Sequence, residues 1–344
     1  MNKQQKAKIS SLATILSQMA IASALIWAVA LVGGGLWQIL RRPPHQSVQS
    51  FAAAEISQVQ NVPSGLFNYG GSNTWAPIRL KVDSAIQSEK LGFQLRFVQP
   101  VAALSNSNTA IQMLLDDQLS FVQSDRPITP AEYRQAEQRG FKLKQIPVAI
   151  DGIAIAVNPS LNISGLTLAQ LRGIYTGAIS NWRSLGGPDL EITLFSSPRN
   201  DGTAQFFSTE VLGNKAFAPN IEIISTTTQA IRRLSKTPGG IYYASASTLV
   251  PQCSIKTVPI GRNADRFVNP QKEPVQSNAD CVEDRNQVNL AAFRSSQYPI
   301  ARYLYVVIKE NNQIETRAGN AYAEFLLTNQ GQEAIAKAGF VRIR

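Results

Sequence analysis

The sequence predicts an α/β fold with mostly parallel sheets, divided into two lobes. From about Val62 onward, strand-like segments alternate with helix-like segments, the pattern of strands covered by helices. About 280 residues follow that point, more than a single hydrophobic core usually holds, so two lobes are expected. The composition is that of a globular chain, with 44% hydrophobic and 16% charged residues.

Short apolar runs and helical periodicity locate the elements. Strands are predicted over residues 95–98, 120–123, 144–150 and 153–157. Helices are predicted over Thr109–Asp116, after an N-cap at Thr167, and over Asn320–Ala338 with a stop at Gly339.

Three short polar loops indicate a site for a tetrahedral oxyanion. They are Gly70–Thr74, Ser124–Pro127 and Arg199–Thr203. Glycine lets the backbone approach a ligand, and a helix that begins after a loop offers free N–H groups to an anion. Serine, threonine and arginine side chains add further donors.

Composition argues against several other functions. His45 is the only histidine, and Cys253 and Cys281 are the only cysteines, so a His/Cys zinc site or a Ser-His-Asp triad is not expected. The formal net charge is +10, but the first 44 residues hold five basic residues and no acidic one, which accounts for half of it. No dense Lys/Arg run suggests nucleic-acid binding, and no cofactor or metal is predicted.

Residues 1–45 predict a cytoplasmic stub followed by one transmembrane anchor. Met19–Leu40 is almost wholly apolar or small and as a helix would span ~33 Å, against a hydrocarbon core of ~30 Å. Lys3, Lys6 and Lys8 place the N-terminus in the cytoplasm and the large domain outside. The alternative is a cleaved secretory signal, with small-residue sites at 28–30 and 52–54. Residues 46–61 are predicted to be a linker.

The two cysteines are predicted to pair. Either route of export permits a disulfide, and Cys253 and Cys281 lie in a region rich in proline and loops. One bridge clamping a surface insertion is expected. The alternative is two unpaired, buried thiols.

From about Phe67 to Phe340 the chain resembles periplasmic phosphate-binding proteins, the soluble receptors of high-affinity phosphate ABC transporters. Seven segments carry the resemblance in order. They are Gly71–Pro77, Ser107–Ile111, Ser124–Pro127, Ile146–Pro159, Leu166–Trp182, Tyr298–Arg302 and Gly331–Gln332.

One segment departs from the family's pattern. The family usually has arginine, two variable residues and then Gly-Ser-Gly-Thr. Here Arg199 is followed by Asn200, Asp201, Gly202 and Thr203, which is two residues shorter, and Asp201 replaces the serine beside the glycine.

The resemblance implies a type II periplasmic-binding-protein fold, preceded here by the transmembrane helix. Two α/β lobes would close on a ligand in the cleft between them. Lobe I would comprise residues 62–148 and 255–344, and lobe II residues 149–254.

The resemblance also implies roles for individual residues. Arg199 is predicted to meet the anion through two parallel hydrogen bonds. Asp125 would accept a hydrogen from phosphate and repel sulfate, which has none to give. Asp201 is either a solvent-facing acid or a second acceptor. The predicted donors are Asn73, Thr74, Ser107, Gly202 and Thr203. Ser72 is assigned only to the shape of its loop, and Arg302 is left outside the site.

The predicted function is that of an extracytoplasmic receptor that captures inorganic phosphate and delivers it to the membrane permease of an ABC transporter. We expect a monomer without catalytic activity. One alternative is a related receptor for another oxyanion, or a phosphate sensor without transport. A second alternative is an enzyme acting on phosphate esters, against which the lack of a catalytic histidine argues.

Overall fold

A computed structural model of the chain describes residues 55–101, 105–273, 281 and 285–344. The predicted stub and anchor, residues 1–45, and the first part of the linker lie outside these residues, so both the anchor and its cleaved alternative stay predictions. None of the helices in the described segments combines the length and apolar character needed to cross a bilayer.

Alternating strands and helices confirm the predicted α/β class. The strands are β1 (Gly65–Gly71), β2 (Phe93–Phe97), β3 (Phe121–Ser124), β4 (Lys142–Val157), β5 (Leu166–Thr167), β6 (Thr193–Ser196), β7 (Glu222–Ile223), β8 (Gly240–Ser245), β9 (Lys256–Val258), β10 (Ile260–Gly261), β11 (Ala301–Glu310) and β12 (Val341–Arg342). The helices are α1 (Ala76–Glu89), α2 (Ser107–Leu115), α3 (Pro130–Gln138), α4 (Leu168–Tyr175), α5 (Gly202–Glu210), α6 (Thr227–Leu234), α7 (Ala246–Leu249), α8 (Leu290–Arg294), α9 (Ile314–Leu327) and α10 (Asn329–Lys337).

Ten of the described strands form one large mixed sheet, and β5 and β10 pair in a separate two-stranded sheet. The order of the large sheet is β2-β1-β3-β11-β4-β8-β6-β7, and β9 and β12 also pair with β4. The outer pairs β1–β2, β1–β3, β6–β7 and β6–β8 are parallel. The central pairs made by β4 and β11 are antiparallel, so the prediction of a mostly parallel sheet is wrong for the centre.

Strand β4 joins the two halves of this sheet. The sequence predicted two strands there, 144–150 and 153–157, but the chain remains extended through Asp151 and Gly152. A Cβ atom at Gly152 would lie 2.1 Å from the Phe293 ring, so glycine makes room for that ring. Strand β4 pairs with β11 along its first part and with β8 from Ile153 to Val157.

Hydrophobic packing divides between the two halves of the sheet. The first core contains Phe67, Trp75, Phe93, Tyr322 and Phe325, and a smaller cluster around Ile111, Leu114 and Val122 covers α2 and β3. The second core contains Ile155, Tyr175, Trp182, Phe207 and Tyr243.

The predicted lobe boundaries, residues 62–148 with 255–344 and residues 149–254, stay a prediction. The packing favours one change to them. Ile255, Val258, Phe293 and Tyr298 pack into the second core, although the prediction assigned residues 255–344 to lobe I. We therefore place the return to lobe I near residue 300, where β11 begins.

The structure differs from two predicted boundaries, that of the linker and that of the last helix. The linker is predicted to extend to Asn61, yet Ile56 and Val59 are buried in the first core. The last helix was predicted to be continuous, yet Thr328 has an extended backbone and its hydroxyl accepts the Gly331 N–H at 3.0 Å, which starts a new helix. An intrinsic cap residue inside a periodic pattern can end one helix and begin another.

The predicted disulfide is confirmed. Cys253 and Cys281 are bonded, with their Cα atoms 5.6 Å apart and 28 positions apart in sequence. Residue Cys281 is buried. The bridge therefore ties Cys281 to the loop that follows α7.

Candidate anion-binding site

Two neighbouring parallel strands bring the first polar loops together. Strands β1 and β3 pair in parallel, so their carboxyl ends meet at one edge of the sheet, where ligands of α/β proteins commonly bind. Ser72 follows β1, and its backbone N–H donates to the Gln123 carbonyl at 3.0 Å. Asp125 follows β3, and Ser107 begins α2 beside it.

Asp125 is the centre of this arrangement. Its carboxylate is fully buried and accepts hydrogen bonds from the hydroxyls of Ser107 at 2.5 Å, Ser72 at 3.0 Å and Thr74 at 3.2 Å. Its own N–H donates back to the Ser107 hydroxyl at 2.9 Å. Three loops distant in sequence therefore meet on one carboxylate.

The start of α5 packs against the same carboxylate. A Cβ atom at Gly202 would lie 2.0 Å from Asp125 Oδ1, so only glycine lets the helix start so close. Asp201 caps this helix, because its Oδ1 accepts the Thr203 N–H at 2.9 Å and the Ser197 hydroxyl at 3.2 Å. Asp201 is partly buried rather than facing open solvent, which disfavours the solvent-facing alternative.

Arg302, which the sequence analysis left outside the site, lies in the middle of it. Its guanidinium is within 3.1 Å of the Asp125 carboxylate and 3.0 Å of the Asp151 carboxylate. The Nη2 group also donates to the hydroxyls of Thr203 at 2.9 Å and Thr74 at 3.3 Å. We call these residues the Asp125 cluster: Ser72, Thr74, Ser107, Asp125, Asp151, Asp201, Thr203 and Arg302.

One guanidinium nitrogen in the cluster keeps its donors available. Arg302 is 5% exposed. Its Nη1 lies 3.1 Å from Asp125 Oδ2, but within the described structure it makes no hydrogen bond of acceptable geometry. The Asp125 carboxylate and the Arg302 guanidinium thus attract each other as charges. The Nη1 hydrogens nevertheless remain without a hydrogen-bond acceptor among the described residues. Such a buried donor is costly unless a further acceptor, such as an anionic ligand, satisfies it.

The three carboxyl groups around Arg302 differ in how readily they ionise. Burial favours the neutral form of Asp125, but Arg302 and the three hydroxyl donors outweigh it, so its pKa is lowered. Burial raises the pKa of Asp151 to about 6 despite its contact with Arg302. Burial, followed by the charge of Asp125, raises the pKa of Asp201. Burial lowers the pKa of Arg302, but the three carboxylates outweigh it, so the net shift is upward.

The raised pKa of Asp151 gives a testable dependence of stability on pH. Its ordinary value is 3.8 and its value in the fold is about 6. Between these values the folded state holds a proton that the unfolded state has lost, so this group's contribution to stability falls as pH rises through the window. Asp151→Asn cannot titrate and is expected to lack that fall. Chemical denaturation across the window measures it, and an unchanged slope in the variant would contradict the assignment.

Two predicted ligands lie outside the Asp125 cluster. Arg199 is exposed, and its guanidinium carbon lies 5.3 Å from the centre of the Phe217 ring. The shortened loop accounts for this, since Asp201 must cap α5 only two positions later. Asn73 is exposed at the start of a short 3-10 turn, while Thr74 beside it points to Asp125. Ser107, Thr74, Asp125, Asp201, Gly202 and Thr203 do come together.

A second buried network supports the first loop from behind. Arg79 donates to the Ser72 carbonyl at 3.2 Å and to the Gln123 side chain at 2.9 Å. The Gln123 amide donates to the Tyr322 hydroxyl at 2.6 Å, which in turn donates to Asp83 at 2.8 Å. The position of Ser72 is therefore fixed by α1 and α9 as well as by β1.

No group of three or more His, Cys, Asp or Glu residues suited to a metal ion occurs among the described residues. The donors of the Asp125 cluster are mostly hydroxyls and a guanidinium, which suit an oxyanion.

The fold and this site agree with a comparison against protein families. The model of the PBP superfamily domain matches residues 60–330. The chain therefore belongs to the PBP superfamily.

Particular relatives narrow the likeness. The chain is 24% identical over 275 residues to the phosphate-binding protein PstS of Staphylococcus epidermidis, covering 79% of this chain and 77% of the relative. A Clostridium perfringens structure with bound phosphate, described as a phosphate ABC transporter substrate-binding protein, is 23% identical with a TM-score of 0.66 and covers 81% of this chain and 100% of that chain. An ABC-type phosphate transport receptor from Vibrio cholerae is 18% identical with a TM-score of 0.60, and the match covers 80% of this chain and 99% of that chain. These solved structures support the fold.

Proposed function

We propose that this protein is an extracytoplasmic solute-binding protein that captures inorganic phosphate and delivers it to an ABC transporter. The observation that carries the proposal is the Asp125 cluster. A buried carboxylate, several hydroxyls and a guanidinium with an available N–H donor meet where two parts of the fold touch. The relatives named as phosphate-binding proteins support the same function.

The carboxylate of Asp125 provides selectivity. Phosphate near neutral pH keeps at least one hydrogen, which Asp125 can accept. Sulfate keeps none, so the same carboxylate repels it and leaves an unpaired buried charge. The hydroxyls of Ser72, Thr74 and Ser107 now bonded to Asp125 can rotate toward the oxygens of a bound anion.

Arg302 is proposed as the principal cation for the ligand. Its contacts with Asp125 at 3.1 Å and Thr203 at 2.9 Å, together with the Nη1 that makes no hydrogen bond within the described structure, support this role. Arg199 is assigned a lesser role because it lies over Phe217. The exported location and the anchor before residue 46 remain part of the proposal, as do the permease partner, the monomeric state and the absence of catalysis.

Titration calorimetry of the full-length chain, freed of bound ligand by dialysis, tests this function. We expect phosphate to bind well above sulfate. Asp125→Asn is expected to lose phosphate affinity. It is also expected to reduce the preference for phosphate over sulfate, because an amide can turn an N–H donor toward sulfate. Equal affinities for phosphate and sulfate in the unchanged protein would contradict the proposal.

One observation keeps a second function in view. The shortened Arg199 loop leaves the site with a single guanidinium, Arg302, in ion-pair contact with its carboxylates in the described structure. A receptor for another hydrogen-bearing oxyanion would use the same groups. Including arsenate and molybdate in the titration separates this alternative, since a ligand bound more tightly than phosphate would replace phosphate in the proposal.

A further inference from the structure

The Asp125 cluster contains more negative than positive charge before any ligand enters. Asp125, Asp151 and Asp201 all act on Arg302, and each raises the pKa of its guanidinium. Neighbouring arginines are already engaged by other groups. Arg126 is paired with Glu132 at 2.6 Å, and Arg79 donates to Ser72 and Gln123.

This excess matters because the cluster is shielded from water. Asp125 and Asp151 are each at most 1% exposed, and they lie 3.1 Å and 3.0 Å from the guanidinium of Arg302. Like charges that are desolvated together repel one another strongly, so adding further negative charge to this cluster is costly. A fully charged phosphate dianion would add two further negative charges to the same enclosure.

Asp201 is a second carboxylate near Asp125, since a Cβ atom on the adjoining Gly202 would lie 2.0 Å from Asp125 Oδ1. Both hydrogen bonds that it accepts in the described structure, from Thr203 and Ser197, go to Oδ1, so they do not occupy Oδ2. The charged groups that act on it are Asp125 and Arg302. From β8, Asp201 is faced by the hydroxyls of Tyr242 and Tyr243, whose ionisation its charge opposes.

We propose that the site binds the doubly hydrogenated monoanion of a tetrahedral oxyacid, with one hydrogen shared with Asp125 and the other with Asp201. This proposal rests on the proposed function and names the ionic form of its ligand. When the monohydrogen phosphate dianion is the form in solution, one proton is taken up from water for each ligand bound. The balance is dianion plus proton giving bound dihydrogen monoanion, with no other bond made or broken.

The donor at Arg302 and the acceptors at Asp125 and Asp201 fit the doubly hydrogenated monoanion. The available Nη1 of Arg302 satisfies an unhydrogenated oxygen of the ligand. The two carboxylates satisfy its two O–H groups, which would otherwise lack acceptors in a buried site. A phosphate monoester or a phosphonate monoanion has only one such hydrogen and would leave one carboxylate unpaired, so we expect both to bind more weakly than phosphate.

Calorimetry with inorganic phosphate on the full-length chain tests the proposal. Titrations at about pH 8 in two buffers of different ionisation enthalpy give the number of protons taken up per ligand, and we expect a value near one. Affinity is then expected to fall about tenfold for each pH unit above neutrality, as linkage requires for one coupled proton.

Two variants test whether Asp201 is the residue that causes the proton uptake. Asp201→Asn keeps an oxygen that can cap α5 but can donate an N–H to the ligand, so proton uptake is expected to fall to less than half. Asp265→Asn, at an exposed loop position, is the matched control and is expected to behave like the unchanged protein. Circular dichroism verifies that both variants are folded.

The outcomes separate this inference from the function on which it rests. Phosphate binding without proton uptake, and with affinity independent of pH, would overturn the inference while leaving the proposed function intact. Uptake that Asp201→Asn leaves unchanged would overturn the role given to Asp201. If phosphate does not bind to the unchanged protein at all, both the inference and the proposed function fail.

Discussion

Replacing Arg302 with methionine is expected to abolish phosphate binding and to destabilise the protein. The guanidinium pairs with Asp125 and Asp151 and donates to Thr203, so its removal leaves buried carboxylates without a counter-charge. Breaking a buried ion pair by removing one partner costs about 3–5 kcal/mol. Calorimetry measures the affinity, and chemical denaturation measures the free energy of unfolding.

Two further variants distinguish a role in ligand binding from a role in packing. Arg302→Lys keeps the charge but loses the planar fork, so it should restore part of the stability and little of the affinity. Arg199→Ala is the matched control and is expected to change affinity by no more than about fivefold, because loss of an exposed cation–π contact is worth about 0.5–1 kcal/mol. The sequence pattern instead predicts Arg199 as the cation that binds the ligand. A large loss of phosphate affinity in Arg199→Ala with a small loss in Arg302→Lys would support that assignment.

Arg302 also connects parts of the fold that the ligand would have to bring together. Asp125 lies beside the first core, Thr203 lies in the first turn of α5 in the second, and Asp151 lies on β4, which joins them. Beside this contact the Asn108 side chain donates to the Asn200 carbonyl at 3.0 Å. An anion that engages Nη1 of Arg302 would therefore act on the residues that hold both halves of the sheet, which is the arrangement expected of a hinged binding protein.

The parts of the site that the sequence predicts are those encoded locally. Asp125, Ser107 and Thr74 each lie at the end of a strand or the start of a helix, and glycines before Thr74 and Pro127 after Asp125 mark turns. Parallel strands then bring these ends to one edge regardless of distant sequence. The cap at Thr167 and the stop at Gly339, whose φ is +86°, are local signals of the same kind.

The parts that the sequence does not predict depend on long-range register. Arg302 reaches the site because β11 pairs antiparallel with β4 and sets it opposite Asp151, which no local pattern around residue 302 reveals. Two carboxylates 151 and 177 positions away from an arginine cannot be assigned to it without the sheet. The prediction for Arg199 has the opposite basis, because it rests on a local pattern whose loop is two residues shorter here and leaves Arg199 exposed over Phe217.

Asp151 illustrates a signal that was present but insufficient. The predicted strands 144–150 and 153–157 leave Asp151 and Gly152 outside any strand, and an acidic residue followed by glycine is typical of a turn. The chain stays extended because Phe293 fills the space above Gly152 and the Ser245 hydroxyl donates to Asp151 at 2.5 Å. A buried polar partner supplied by another strand can thus override turn chemistry.

Gly202→Ala is expected to reduce phosphate affinity strongly, although glycine carries no side chain to contact a ligand. Its added Cβ would lie 2.0 Å from Oδ1, 2.7 Å from Cγ and 2.9 Å from Oδ2 of Asp125. The carboxylate cannot simply rotate away, because hydroxyls of Ser107 and Ser72 and the guanidinium of Arg302 hold it. Either Asp125 or the start of α5 must move.

Both movements harm the site, but they leave different traces. Displacing Asp125 breaks at least one charge-assisted hydrogen bond, worth about 1.5–3 kcal/mol, which corresponds to an affinity loss of about tenfold or more. Displacing α5 instead withdraws Thr203 from Arg302 and loosens packing at a cost of about 1–3 kcal/mol in stability.

Gly92→Ala is the matched control. Gly92 lies on the surface, and the nearest atoms that an added Cβ would contact there all belong to the exposed residue Ser64. Equal phosphate affinity in both variants would mean that the contact between Gly202 and Asp125 is not part of the binding-competent state.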